Sequence, residues 1–382
     1  MRILFLDQSS KLGGAELCLA DLAYPYRDRS RVAVFNEGLF PEYLRQRHIP
    51  VVTLMDQTLA VKKASGLGDG LKSLGQLLPL IRRVQRLSRD YDLIYANTQK
   101  ALVVGAIASR LANRPFVYHL HDIVSPDHFS PTNRRIIVTL ANQAQRVIAN
   151  SEASREAFIA AGGRADRTQV VYNGFDPEAY IVEAPSRATL RDRLAIGEAQ
   201  FVIGHFSRLS PWKGQHVLLE ALSQVPEHAV ALLVGDALFG EQAYVQQLKV
   251  QISRLGLAHR VKFLGFRSDI PPLMAACDLV AHTSTAPEPF GRVIVEGMLC
   301  RRPVVAANAG GATELIDHGQ TGWLTPPGDA PALAEVIVNS CGKREETKRI
   351  AHRGYLSACD RFSLSQVNSQ IHRLLAEVIA TS

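Results

Sequence analysis

The chain has 382 residues, more than one hydrophobic core usually organises, so two domains of about 150–200 residues are expected and a small staple-dependent scaffold is excluded. Hydrophobic residues at 47% and charged residues at 21% exclude a disordered polymer, and the net charge of +7 favours anionic partners such as nucleotides or phosphorylated substrates. No uncharged apolar run approaches the roughly 18–20 residues of a membrane span, and without a long Lys/Arg run or an aromatic-rich basic motif no nucleic-acid partner is expected.

Ile3 to Leu6 reads as a buried strand that meets Asp7 too early for a signal-peptide core, so the expected compartment is the cytoplasm. A turn from Asp7 to Gly14 leads into a helix from Ala15 through Leu22, and strands follow at Val32 to Phe35 and Val51 to Leu54. Gln57 to Gly70 has no strong periodicity and reads as a mobile loop. Leu71, Leu74, Leu77, Leu78, Ile81, Val84 and Leu87 then recur at helical spacing beside Arg82, Arg83, Arg86 and Arg89. That basic face is either solvated on a core-packed helix or in peripheral contact with an anionic membrane. Further strands are expected at Leu93 to Ala96, Phe116 to His119, Arg146 to Ala149 and Val170 to Tyr172.

Pro177, Pro185 and the charged stretch Ser186 to Arg193 place a linker between Asp176 and Gln200. Beyond it the opening pattern repeats: a strand Phe201 to Phe206, a turn Ser207 to Gly214, and a helix carrying Val217, Leu218, Leu219 and Leu222. Strands at Ala229 to Val234, Val261 to Leu264, Leu279 to Ala281 and Val304 to Ala306 complete this half. Ser363 and Gln366 form a capping box before an amphipathic helix of Leu364, Val367, Ile371, Leu374 and Val378. Alternating strands and helices define an α/β chain of two doubly wound, Rossmann-like domains, 1–180 and 181–357, with 358–382 packing back towards the first. A cleft between them, at the carboxyl ends of the strands, is the default ligand site. The five cysteines lack a CxxC pair and read as reduced core residues, with no metal site.

Three segments carry chemistry. Gly13-Gly14 stands where the first strand hands over to a helix, which is either a tight turn or a close approach to an anion. Arg208 and Lys213 share the corresponding turn of the second half, as solvated loop residues or as an anion clamp. In Glu288-Pro289-Phe290-Gly291-Arg292-Val293-Ile294-Val295-Glu296 a helix begins near Arg292, with one carboxylate before it and one inside it. A carboxylate is a poor neighbour for phosphate unless polyols intervene. Acids beside cations therefore suggest a sugar at each end of a diphosphate.

In order along the chain, GGAE, His121-Asp122, Val170-Val171-Tyr172-Asn173-Gly174-Phe175-Asp176, Arg208…Lys213-Gly214, Val234-Gly235-Asp236, Phe263-Leu264-Gly265, EPFG…E and Gly310-Gly311-Ala312-Thr313-Glu314 resemble the family 4 glycosyltransferases of the GT-B fold. The resemblance implies two domains facing each other across a deep cleft. It also implies transfer of a hexosyl group from a nucleotide diphosphosugar, a UDP-sugar such as UDP-glucose by family preference, with retention of configuration. The acceptor would be a saccharide or lipid-linked hydroxyl in polysaccharide or glycolipid biosynthesis, and no divalent metal or other cofactor is implied. Arg208 and Lys213 would hold the diphosphate, Glu288 the donor-sugar hydroxyls and Glu296 the ribose diol. Phe290, Gly291 and the amides near Val293 and Ile294 would line the donor, Phe266 and Arg267 the base, and Gly14 the diphosphate. His121 resembles the histidine that meets the donor sugar, although His119 would share its side of a continued strand. Gly297, usually alanine, and Arg301-Arg302, where glycine usually comes first, depart from the pattern and put local loop geometry in question. A sugar-nucleotide epimerase is the alternative within catalysis and a noncatalytic nucleotide-sugar binder the alternative outside it; the combination of His121, Lys213 and the two glutamates favours transfer.

Overall fold

The computed structural model describes residues 1–55, 67–182, 184–238 and 240–382. Two compact units emerge, Met1–Gly174 with Leu364–Ser382, and Phe175–Ser363. Among the described residues the first holds a parallel sheet of β1 (Ile3–Asp7), β2 (Arg31–Val34), β3 (Val51–Thr53), β4 (Leu93–Ala96), β5 (Phe116–Leu120), β6 (Arg146–Ala149) and β7 (Thr168–Val170), in the order β3-β2-β1-β4-β5-β6-β7. The order reverses between β1 and β4, the switch point of a doubly wound sheet.

The strands read as apolar runs because both faces of the sheet are covered. Side chains alternate along a strand, so Leu4 and Leu6 enter one core with Ile94, Phe116 and Tyr118, while Ile3 and Phe5 enter another with Val32, Tyr95 and Val117. The C-terminal helix Leu364–Ala380 closes the second core, burying Val367, Ile371, Leu374, Leu375 and Val378. Each such aliphatic side chain contributes about 1.5–3 kcal/mol when buried.

The second unit repeats the plan with β8 (Phe201–Phe206), β9 (Ala229–Val234), β10 (Val261–Gly265), β11 (Leu279–His282), β12 (Val304–Ala307) and β13 (Trp323–Thr325), in the order β10-β9-β8-β11-β12-β13. Its switch point lies between β8 and β11.

Three expectations need correction. The last strand of the first sheet is Thr168–Val170 rather than Val170 to Tyr172, because the register against β6 pairs Val147 with Thr168 and Ala149 with Val170. The linker stretch holds a helix, Ala184–Arg193, whose Arg187 and Arg191 reach Asp278 at 2.7 and 2.6 Å, an acid that also accepts the Val202 amide at 2.8 Å. The loop expected over Gln57 to Gly70 lies outside the described residues as far as 66, and Leu67–Ser88 is helical. No helix among the described residues is long and apolar enough to cross a membrane.

Candidate active site

Chemistry-bearing side chains gather at the switch point of each sheet. In the second unit the chain leaves β8 through Ser207 and Arg208, makes a short turn of helix at Pro211–Lys213, and enters the helix Gln215–Leu222 through Gly214. Gly214 has φ +72°, and a Cβ there would stand 1.8 Å from the Thr283 carbonyl oxygen, so only glycine lets this turn lie against the end of β11. His205 and Thr283 fasten it: His205 Nε2 lies 2.9 Å from Thr283 Oγ1, which donates to the Gly214 carbonyl at 2.8 Å. Burial lowers the His205 imidazole to about 3, so it stays neutral.

The seated turn aims Lys213 at Glu288. The ammonium lies 2.8 and 2.7 Å from the two carboxylate oxygens, with both side chains largely buried, and 4.0 Å from the centre of the Trp212 ring. Ser284 donates to Glu288 Oε2 at 3.0 Å, and His282 Nε2 lies 3.3 Å from the same oxygen. Burial works against ionisation of Glu288, yet Lys213 and His282 hold its carboxyl well below the usual carboxylate range. His282 and Ser284 were not anticipated; they follow one another at the end of β11 with no local motif to mark them.

Gly291, at φ +94°, begins the helix Arg292–Leu299. The Ile294 amide donates to the Gly291 carbonyl at 2.9 Å within this turn. Val293 is partly exposed beside it. Phe290 is a core side chain, 6.3 Å from Phe175 and 5.8 Å from Phe362 between ring centres, so any donor contact it makes comes from its backbone. Glu296 accepts from Arg292 Nε at 3.3 Å and from the Tyr180 hydroxyl at 3.5 Å. Arg208 lends its carbonyl to Gln215 Nε2 at 2.7 Å. Phe266 is 58% exposed, and Arg267 forms a forked pair with Asp269 at 2.7 and 2.5 Å. Lys213 and Glu288 are thus brought together, whereas Phe266 is exposed and Arg267 and Glu296 are engaged with other side chains.

The departures from the family pattern have structural accounts. A Cβ on Gly297 would meet Val304 at 3.0 Å and Val280 at 3.2 Å, so glycine admits close packing of helix on sheet. Arg301 adopts φ +55°, the conformation glycine takes without strain, and its guanidinium lies 4.4 Å over the Tyr355 ring.

In the first unit Gly14 is the first residue of the helix Gly14–Ala23. His121 follows β5, with Nε2 2.9 Å from Asn97 Oδ1 and its ring 3.9 Å from that of His119, on the same side of the strand. His119 is fully buried, with Nδ1 2.7 Å from the Tyr95 hydroxyl, which separates it from the more accessible His121. Asp122 is half-buried and accepts from Gln99 at 3.0 Å; desolvation raises its carboxyl. Among the described residues the candidate metal-binding set is Cys18, His119 and His121, whose ligand atoms lie within 4.8 Å of one another. Each is already engaged, Cys18 with Asn173 at 3.3 Å, which favours a hydrogen-bonded pocket over a metal centre.

A largely buried lysine–glutamate pair thus stands at the switch point of one sheet and a histidine at that of the other. Residues 12–179 match the model described as Glycosyltransferase Family 4, and residues 186–356 match Glycosyl transferases group 1. HepE from Anabaena, solved with UDP and glucose, is 58% identical with a TM-score of 0.92, covering 99% of this chain and 100% of that one. N-acetyl-alpha-D-glucosaminyl L-malate synthase of Bacillus anthracis is 28% identical over 55% of this chain and 54% of its own, so the chain spans about half of that relative. A GDP-mannose-dependent alpha-(1-6)-phosphatidylinositol monomannoside mannosyltransferase of Mycolicibacterium smegmatis is 28% identical over 67% of this chain and 69% of its own. The chain belongs to the family 4 glycosyltransferases and has their GT-B fold.

Proposed function

We propose that the chain transfers a glucosyl group from UDP-glucose to a hydroxyl of a saccharide or lipid-linked acceptor, at the cytoplasmic side, with retention of configuration and without a divalent metal. The observation that carries this reading is the buried Lys213–Glu288 pair at 2.7 Å. It puts a cation suited to a diphosphate within one hydrogen bond of a carboxylate suited to sugar hydroxyls. The choice of UDP and glucose is supported by their presence in the HepE complex, at 58% identity.

In this reaction the bond from the anomeric carbon to the diphosphate breaks with its electron pair going to UDP. The acceptor oxygen bonds to that carbon on the same face, and the acceptor proton passes to the departing phosphate. No closely spaced pair of carboxylates is invoked as nucleophile and acid. The chain supplies positioning and charge. Lys213 and Arg208 compensate the leaving group, Glu288 grips donor hydroxyls, and Glu296 exchanges Arg292 and Tyr180 for the ribose diol. Phe266 and Arg267 meet the base, the backbone near Gly14, Phe290, Gly291 and Val293 meets the diphosphate, and His121 meets the sugar. Exposed Arg82, Arg86 and Arg89 beside Leu78 support contact with anionic lipid; co-flotation with anionic but not neutral vesicles is the expected result.

The test is a thermal-shift and transfer panel of UDP, GDP, ADP and their sugars in excess EDTA. UDP-glucose should give the largest shift and sustain transfer, since a ligand bound only by the folded chain raises its stability. Activity abolished by EDTA and restored by magnesium or manganese would refute the metal-free mechanism.

A further inference from the structure

Behind His121, buried polar groups run across the ends of the two central strands of the first sheet. Asn97, 1% exposed, directly follows β4. Its amide nitrogen donates to Asp7 Oδ2 at 2.8 Å and to the Ala15 carbonyl at 3.1 Å, while its oxygen lies 2.9 Å from His121 Nε2. A side-chain amide has two N–H donors and one acceptor oxygen. Both hydrogens are taken by acceptors, and a flipped amide would press its oxygen against the Ala15 carbonyl. One orientation satisfies the group. Asn97 Oδ1 then has no hydrogen to give, so the proton in its contact with His121 belongs to Nε2; in the neutral ring, which carries one hydrogen, Nδ1 is then the acceptor nitrogen.

We propose that Asn97 is a positioning residue that fixes His121 as the neutral tautomer with hydrogen on Nε2, so that His121 meets a substrate hydroxyl as an acceptor through Nδ1. This rests on the reading that places His121 at the donor sugar. An amide oxygen orients the ring without a full negative charge and so gives the imidazolium no ion pair; a carboxylate in its place would. Among the described residues the titratable groups around the site include Asp7 on β1, Glu16 and Cys18 on the helix Gly14–Ala23, Tyr95 on β4, His119 on β5, and Asp122 beyond it with His128 near that acid. Burial, with Glu16 nearby, pushes the Asp7 carboxyl up to about 8, so little negative charge stands behind Asn97 at neutral pH. Asp122 is turned to Gln99, and burial keeps His119 neutral.

The experiment is long-range nitrogen–proton NMR on the full chain labelled at histidine, with His121 assigned by its loss in His121→Gln, alongside the pH dependence of kcat/KM for the wild type and Asn97→Asp. The expected spectrum has a protonated Nε2 and an unprotonated Nδ1. In Asn97→Asp the carboxylate stabilises the imidazolium, which cannot accept a hydrogen bond at Nδ1. The acidic limb of the profile should therefore move up by about one pH unit or more, with activity recovered at alkaline pH. A wild-type spectrum with hydrogen on Nδ1 overturns the proposal, and needs no variant to fold. The expected spectrum with a profile that Asn97→Asp lowers equally at every pH overturns instead the placement of His121 at the sugar.

Discussion

Asp7 in the first unit and Glu288 in the second are both buried acids beside a sheet switch point, and they titrate in opposite directions. Asp7 closes β1 with neutral donors, Asn97 and the Ser9 amide, and burial pushes it up to about 8. Glu288 is largely buried too, but Lys213 at 2.7 Å holds it well below the usual range. Burial alone therefore does not decide the charge of a site acid; a cation within hydrogen-bond reach reverses the outcome. One unit orients a neutral ring through an uncharged relay, and the other stores a fixed anion and cation side by side.

The strongest way to break the contrast is Lys213→Ala, which leaves Glu288 buried without its cation, in the condition of Asp7. Steady-state assays should lose on the order of 10²–10³ in turnover. Thermal melts should fall as for a buried pair stripped of one partner, about 3–5 kcal/mol, and the double variant Lys213→Ala/Glu288→Gln should regain part of that stability but none of the activity.

A milder break is His282→Ala. The buried imidazole lies 3.3 Å from Glu288 Oε2, and losing a hydrogen bond to a charged group should cost about tenfold in turnover with KM for donor little changed. His282→Gln, which restores a side-chain donor, should recover most of it; equal losses in both variants would reduce His282 to a packing residue.

The smallest expected effect concerns stability against pH. The folded chain keeps a proton on Asp7 that the unfolded chain releases above its ordinary 3.8, so this group lowers stability as pH rises from about 4 towards about 8. Asp7→Asn should flatten that slope in melts across the window. Glu288, with its folded carboxyl held low, has the opposite sign: its contribution is present above the ordinary carboxylate range and fades as pH falls through it. Parallel slopes in Asp7→Asn and the wild type would remove Asp7 from this account.

Both sheets were legible in the sequence because strands covered on two faces must be apolar throughout, and Lys213 and Glu288 were legible because each sits in a glycine-bearing turn. Their partnership was not, since 75 residues separate them and only the seating of the Lys213–Gly214 turn on β11 brings them together. Asn97 was missed for a similar reason. It lies 90 residues from Asp7 and 24 from His121, at a strand end with no motif of its own. The pairing of Arg187 and Arg191 with Asp278 was not legible, because arginines that face an acid look the same in sequence as arginines that face water.

The route of the chain also has a consequence for synthesis. The chain enters the second unit at Phe175 and leaves it at Ser363, so that unit is one uninterrupted segment, while the first is made from the two segments that flank it. Domains that emerge whole can fold as they leave the ribosome. Here the unit begun first is completed after the second, because Val367, Ile371 and Leu374 are its missing core layer until the helix Leu364–Ala380 appears. A Cβ on Gly174 would stand 2.9 Å from the Leu364 Cα, so the two cut ends of the first unit already adjoin. Joining them through a few flexible residues would turn a domain assembled from two separated segments into one that a ribosome can finish in a single pass.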